Sequence, residues 1–427
     1  MATAAMPMCT TLCDKLPPLW VEKRSAVKVS NRTEYQLGVK GNSWKGLVVM
    51  LLMHIGWSSM AQTLIPGAER YSAYADLLEG QRVGLIANHS SLAEGRHLVD
   101  VLQERGVQLV RIFAPEHGFR GSAAAGAKIV DGVDEKSGLP VVSLYGNNRK
   151  PQPHQLEGID VMLFDLQDVG TRFYTYISTM SLAMDACAEQ NIPFIVLDRP
   201  NPNGHFVDGP VLEPEYASFV GMHPVPVVHG MTVGEYAAMV NGEGWLTNGQ
   251  KAVLTVIRCE GYRHEMIIEL PVKPSPNLPN AAAVALYPSL CFFEGTPLSI
   301  GRGTDFPFQV IGAPWMPNLG FQFTPRSRDE APQPKYRDQL CNGVDLRPFG
   351  EYYMPKYSAI YWVWLIEAYQ MSDNKKDFFS SFFDRLAGTN RIRLAIEAGA
   401  DAEALKALYA DELEAFKQLR KRYLIYP

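Results

Sequence analysis

Val161-Met162-Leu163-Phe164-Asp165-Leu166-Gln167-Asp168 is a run of four apolar residues that passes directly into a polar tip. The same pattern recurs on both sides of it, at 83–87, 109–113, 141–144 and 194–197. Each run is almost continuously hydrophobic, which requires burial on both faces, as in a sheet covered by helices on either side. Between the runs lie segments with helical spacing, at 93–105, 153–156 and 178–190. Short buried strands alternating with amphipathic helices are the pattern of parallel βα units.

The reading that follows is an α/β fold, a Rossmann-like doubly wound parallel sheet. A further helix is expected over 232–241, where Thr232 and Glu235 form a capping-box pair. Beyond Trp245 the character changes. A strand-like alternation at 253–259 is followed by a stretch rich in Pro and Asn at 271–288. Loop-heavy sequence continues to about 353, and two helices at 359–370 and 402–423 close the chain. Residues 66–245 are therefore assigned to the Rossmann-like domain. Residues 246–427 are assigned to a second domain.

The 427 residues are 47% hydrophobic and 20% charged, values that exclude a disordered chain. Forty Lys and Arg against 45 Asp and Glu give a net charge of −5, which argues against a nucleic-acid partner. The basic run at 417–422 reads as the solvated face of a terminal helix. The six cysteines include no Cys-x-x-Cys pair, which argues against a zinc ribbon or thioredoxin-like centre; Cys9 and Cys13 fall in the N-terminal extension, and the other four are read as core thiols.

Lys45-Gly46, the apolar stretch 47–57 and Ser58-Ser59-Met60-Ala61-Gln62 have the make-up of a secretory signal. Residues 1–61 are read as an extension with a signal peptide, the true start lying further downstream and the mature chain being periplasmic or extracellular. The apolar stretch is shorter than the ~20 residues of a membrane span, so no stable span is expected in the mature chain.

In open parallel sheets, ligands bind outside the carboxyl ends of the strands. Those ends here carry Asn88-His89-Ser90, the segment 115–121, Tyr145-Gly146, Asp165 to Asp168 leading into Arg172-Phe173-Tyr174-Thr175-Tyr176, and Asp198-Arg199-Pro200-Asn201-Pro202. One such residue alone would read as a turn or cap. Five strands delivering carboxylates, arginines, tyrosines and amides to one rim imply a site, and this composition suits a sugar. Gly-x-Ser-x-Gly and Gly-x-Gly-x-x-Gly are absent, and segment 121–128 only superficially resembles a phosphate loop. The histidines show no ligand spacing, so neither a metal nor another cofactor is implied.

Five ordered motifs carry a resemblance: Phe113-Ala114-Pro115-Glu116-His117-Gly118-Phe119-Arg120-Gly121, Gly170-Thr171-Arg172-Phe173-Tyr174-Thr175-Tyr176, Asp198-Arg199-Pro200-Asn201-Pro202, Tyr287-Pro288-Ser289 through Phe293-Glu294-Gly295-Thr296, and Gly301-Arg302-Gly303-Thr304. From about residue 81 onward the chain resembles the NamZ-type exo-β-N-acetylmuramidases. Asn88-His89-Ser90-Ser91 departs from the family's usual Asn-x-Thr-Gly turn. The resemblance implies hydrolysis of the β-1,4 bond behind a non-reducing-end N-acetylmuramic acid in a peptidoglycan-derived muropeptide or disaccharide, and a Rossmann-like domain joined to a second, smaller α/β domain over 246–427 that completes the active cleft.

Glycosidic cleavage normally uses two carboxyl groups. Glu116, at a strand end near Phe113 and Phe119, is the expected general acid. Glu294 from the second domain is the preferred partner, with Asp168 and Asp165 as competitors. The substrate's own acetamido group is an alternative nucleophile. The lactyl carboxylate of muramic acid calls for an arginine fork, with Arg172 and Arg302 as candidates and Arg199 as a structural partner of Asp198. Asn88, His117, Arg120, Tyr174, Asn201, Ser275, Asn277 and Thr304 complete the expected substrate contacts. If extended, the 172–176 segment would turn only one of Tyr174 and Tyr176 toward the sugar. Two other classes remain open at this point: a non-catalytic periplasmic sugar-binding protein, and a cell-wall esterase or amidase.

Overall fold

The strand runs read from the sequence assemble into one seven-stranded sheet. The computed structural model describes residues 63–116, 118–119 and 132–427. The proposed signal segment, Cys9, Cys13, His117, Arg120 and the segment 121–128 lie outside the described residues. Among the described residues no helix is long and apolar enough to cross a membrane.

In chain order the strands are β1 (Arg82–Ala87), β2 (Gln108–Ala114), β3 (Gly132–Val133), β4 (Pro140–Ser143), β5 (Val161–Asp165), β6 (Phe194–Leu197) and β7 (Leu254–Ile257). Their spatial order is β7-β6-β5-β1-β2-β4-β3, parallel throughout except that β3 runs antiparallel to β4. Every residue of β5 and β6 is buried, which accounts for their unbroken apolar sequence. The chain enters at β1, winds outward through β2 and β4, then returns to β5 on the other side of β1. The direction of winding therefore reverses between β1 and β5, the place where such sheets open a binding crevice.

The helices follow the sequence with instructive departures. The helix expected over 93–105 is confined to Leu98–Glu104. Ahead of it, Leu92–Ala93 and Arg96–His97 form a short hairpin around Glu94 and Gly95, both at positive φ. Tyr176–Glu189 starts two residues earlier than the expected 178, and Val233–Gly242 carries the predicted capping box in full. The stretch expected to be loop at 271–288 instead contains the helix Ala281–Leu290. Asn280 caps it by accepting from the Ala283 N–H at 2.9 Å, and the alanine run propagates it. Pro288 lies near its end, where few i→i−4 bonds remain to be lost.

The central sheet continues past residue 246, because β7 pairs in parallel with β6. The second lobe then contributes a three-stranded antiparallel sheet of Val310–Ala313, Cys341–Asp345 and Phe321–Phe323 in that order. Helices Arg347–Tyr352, Val363–Met371, Ser381–Ala387 and Arg391–Glu397 surround it in sequence. The expected terminal helix 402–423 is two, Ala402–Ala407 and Ala410–Arg420. The last residues return to the first lobe: the Ile425 N–H reaches Glu235 at 2.8 Å and the Tyr426 hydroxyl reaches Asp198 at 2.6 Å. Cys187, Cys259, Cys291 and Cys341 are buried free thiols.

Thr232 joins two parts of this framework. Its hydroxyl accepts from the Glu235 N–H at 3.2 Å and donates to Asp198 at 2.8 Å. Thr232→Ala is expected to lower unfolding free energy by about 1–2 kcal/mol, the cost of a lost cap. Urea unfolding with an unchanged m-value checks this; a change below about 0.3 kcal/mol would contradict it.

Candidate active site

Most of the polar residues at the strand ends are used by the protein itself. Beyond β1, Asn88 Oδ1 accepts from the Ser90 N–H at 2.9 Å and hydroxyl at 2.6 Å, while its Nδ2 donates to the Tyr176 hydroxyl at 2.8 Å. At the end of β5, Asp165 is fully buried and takes both Arg199 Nε, at 2.6 Å, and Arg199 Nη2, at 2.8 Å. Arg199 also donates to the Leu92 carbonyl at 3.0 Å. This bidentate pair locks β5 to β6 and corrects the expectation that Arg199 partners Asp198. Asp198 instead accepts from Thr232, Gly234 and Tyr426.

The cleft itself has a volume of about 330 Å³. From the sheet side it is lined by Glu116 beyond β2, Tyr145 beyond β4, and Tyr174, Thr175 and Tyr176 beyond β5. From the second lobe come Ser275, Asn277, Tyr287, Glu294, Arg302 and Phe308, and from the helix Ser381–Ala387 come Phe382 and Arg385. Arg149, Phe173, Ser218, Phe219, Val220 and Leu278 complete the wall. The site thus sits over the carboxyl ends of the strands and is closed by groups from the rest of the chain.

Two carboxylates share this cleft in different surroundings. Glu116 accepts from the Thr175 hydroxyl at 3.4 Å and is hydrogen-bonded to Tyr145. Burial and the neighbouring Glu116 push the Tyr145 hydroxyl up to about 12, so Tyr145 stays protonated as the donor. Phe113 and Phe119 are buried and do not line the cleft, so hydroxyls, and not those rings, flank the Glu116 carboxyl. Glu294 Oε1 is gripped by Arg302 Nη2 at 2.6 Å and Nε at 2.8 Å. The Arg302 guanidinium also lies 5.0 Å from the Phe308 ring centroid, which fixes the pair against an aromatic face.

Asn277 presents an unfilled acceptor. It is 2% exposed, its Nδ2 donates to the Glu330 carbonyl at 3.3 Å, and its buried Oδ1 has no partner among the described residues. A buried acceptor left open in a cleft is costly unless a ligand N–H fills it. Tyr174 and Tyr176 both line the cleft, contrary to the expectation of one, because the chain turns into a helix at Tyr176. Their rings meet edge to face at 4.9 Å, and the Tyr174 hydroxyl donates to the Pro274 carbonyl at 2.6 Å.

Of the residues singled out in the sequence, Glu116, Glu294, Tyr174, Asn277, Ser275 and Arg302 line the cleft. Asn88, Asp165 and Arg199 do not; they shape the rim from behind through the bonds above. Arg172 is the largest correction. It is fully buried and donates to four backbone carbonyls: Pro210 at 2.9 Å, Val225 at 2.8 Å, Leu386 at 3.0 Å and Ala387 at 2.7 Å. It therefore cannot meet a substrate carboxylate. Asn201 is consumed by the Met231 carbonyl and the Asn203 N–H, both at 2.8 Å. Thr304 bonds its own turn through the Gly301 carbonyl at 2.6 Å.

Asp168 is also withdrawn from the wall. It is buried, and its Oδ2 accepts from the Gly170 N–H at 2.6 Å, while Oδ1 has no partner among the described residues. Sequence reasoning missed Arg149, Phe219, Phe382 and Arg385. Arg385 lies in a helix whose Phe-Phe-Asp-Arg spacing gives no local sign of a site more than 200 residues from Glu116.

Comparison with known proteins agrees with this architecture. Family models described as exo-β-N-acetylmuramidase NamZ match the chain at 83–282 for the N-terminal part and 285–426 for the C-terminal part. The peptidoglycan β-N-acetylmuramidase NamZ of Bacillus subtilis is 42% identical over 382 residues, covering 83% of this chain and 89% of that protein. Two crystal structures of DUF1343 family proteins from Bacteroides fragilis superpose with TM-scores of 0.80 and 0.74, at 45% and 30% identity. Each match covers 85% of this chain and 99% of the other.

The burial of Asp168 generates a test. Burial raises its carboxyl from the usual 3.8 to about 7, against the opposing Gly170 and Val169 N–H groups. The folded state then holds this proton more tightly than the unfolded chain. The stabilisation is complete below pH ~4 and is lost as pH rises through ~7. Asp168→Asn cannot ionise, so its melting temperature relative to the parent should improve more at pH 8 than at pH 5. A pH-independent difference in paired thermal scans would contradict this.

Proposed function

The chain belongs to the exo-β-N-acetylmuramidase NamZ family, and we propose that in this glycoside hydrolase Glu116 and Glu294 divide the bond-breaking chemistry between them. The enzyme acts from the end of peptidoglycan-derived chains. The finer reading is release of N-acetylmuramic acid from the non-reducing end of a disaccharide or muropeptide. The observation that carries it is that the two carboxylates, reaching the cleft from different lobes, face one enclosure of about 330 Å³ together with the open acceptor of Asn277. That volume lies at the small end of ligand sites, suited to one substituted sugar at a chain end.

In this mechanism Glu116 protonates the leaving glycosidic oxygen, with Tyr145 and Thr175 orienting its carboxyl. Glu294, ion-paired with Arg302, supplies the negative charge that the oxocarbenium-like transition state requires, either directly or by aligning the 2-acetamido group, and a water then bonds to the anomeric carbon and returns a proton to Glu116. Asn277 Oδ1 takes the acetamido N–H. The edges of Tyr174 and Tyr287 shape the floor against the sugar ring. Export to the periplasm or the cell exterior is part of the same proposal. It is supported by the charged, apolar and small-residue sequence over 45–62 and by the location of the polymer from which such substrates derive.

Leaving-group chemistry separates the two acids. On a disaccharide of N-acetylmuramic acid and N-acetylglucosamine, Glu116→Gln should lower kcat by about 10²–10⁴-fold. On an aryl β-N-acetylmuraminide whose phenolate leaves without protonation, the same variant should lose far less. Glu294→Gln should impair both substrates to a similar degree. Equal losses for Glu116→Gln on the two substrates would remove it from the proton-donor role.

A further inference from the structure

Three arginines line the cleft, and they are not equivalent. Arg302 is committed to Glu294. Arg149 and Arg385 have no carboxylate partner among the described residues, although most other arginines are paired with acids or bound to carbonyls. Arg149 is held in place without being neutralised: its guanidinium carbon lies 4.3 Å from the Phe219 ring centroid. Packing on a ring face occupies the plane of a guanidinium and leaves its in-plane N–H donors free. Ser218, next to Phe219 in the wall, has a buried hydroxyl that also lacks a partner among the described residues.

Arg385 is positioned by an unusual anchor. It projects from Ser381–Ala387, and the carbonyls of the next two residues, Leu386 and Ala387, are the ones that buried Arg172 holds at 3.0 and 2.7 Å. Gly388 follows at φ 76°, and a Cβ there would come within 2.5 Å of Arg172 Nη2. The helix end is therefore fixed from within while its arginine faces the cleft. The cleft wall thus carries two guanidinium groups with no carboxylate partner among the described residues, an arrangement that suits an anionic ligand group.

We infer that Arg149 and Arg385 receive the lactyl carboxylate of the terminal sugar and are the residues that discriminate muramic acid from glucosamine. This rests on the muramidase reading and deepens it. In a fragment without its peptide stem the sugar carries a free lactyl carboxylate, which N-acetylglucosamine lacks and which a stem converts to an amide; this is the substrate group that two guanidinium groups without a carboxylate partner among the described residues would select. Arg172 acts on it only at second hand, by fixing the segment that presents Arg385.

The test uses the full-length enzyme and three aryl β-glycosides: the N-acetylmuraminide, the same compound with its lactyl carboxyl converted to a carboxamide, and the N-acetylglucosaminide. A hydrogen bond between charged groups contributes about 1.5–3 kcal/mol, or roughly 10–100-fold in affinity. Arg385→Gln and Arg149→Gln should each lower the ratio of kcat/KM for the acid over the carboxamide by about that factor, chiefly through KM. Arg385→Lys should recover part of the loss. Thermal melting and direct binding of free N-acetylmuramic acid by calorimetry separate a folding defect from lost recognition. Equal losses on all three glycosides, or an unchanged acid-to-carboxamide ratio, would overturn the assignment. A parent enzyme that turns over the glucosaminide but not the muraminide would instead defeat the muramidase reading beneath it.

Discussion

The cleft depends on ties between the two lobes, and the buried guanidinium of Arg172 is one that reaches both sides at once. Its four carbonyl partners come from Pro210 and Val225 on one side and from Leu386 and Ala387 on the other. Taking such a cation out of water is expensive; these carbonyls meet its Nη1 and Nη2 donors, while Nε has no partner among the described residues, and hydrogen bonds to charged groups contribute about 1.5–3 kcal/mol each. The geometry also constrains neighbours: Gly388 has to lack a side chain for the guanidinium to approach. A second buried tie, Asp165 with Arg199, fixes the rim from below. Removing one member of such a pair costs about 3–5 kcal/mol.

These ties explain why so few of the rim's polar residues line the cleft. Parallel strands end in a ring of unsatisfied backbone groups and polar side chains, and much of that polarity is spent on holding the loops. Asn88 orients Tyr176, Asp198 caps a helix and receives Tyr426, and Asn201 closes its own turn. What remains open to the cleft is a small set: Glu116 on one side, Glu294 of the 3-10 turn Cys291–Gly295 with Arg302 on the other, and Asn277 between Pro-bounded turns. Rigid support behind a sparse working face is what electrostatic preorganisation requires.

Much of the fold was legible in the sequence, because unbroken apolar runs such as 161–164 and 194–197 have one economical explanation, a strand buried on both faces. Thr232 and Glu235 announced their helix start through spacing alone. The Ala281–Leu290 helix was hidden by its prolines; β7 was legible as the alternation at 253–259, but the change of character around residue 246 gave no sign that it pairs with β6 in the central sheet. At the site, Glu116 and Glu294 stood out because each lies in a distinctive motif. Arg172 misled because local sequence does not distinguish an arginine facing solvent from one enclosed by carbonyls. Arg385 was invisible for the converse reason: only tertiary packing brings its helix to the cleft.

The central claim is that one saccharide unit sits between Glu116 and Glu294 with its scissile oxygen at Glu116. A crystal structure of the Glu116→Gln variant with the disaccharide of N-acetylmuramic acid and N-acetylglucosamine bound measures this directly. The account predicts the glycosidic oxygen within about 2.6–3.2 Å of the residue 116 side chain, with the acetamido N–H on Asn277. A disaccharide bound outside this cleft, or one whose scissile oxygen faces away from residue 116, would contradict it.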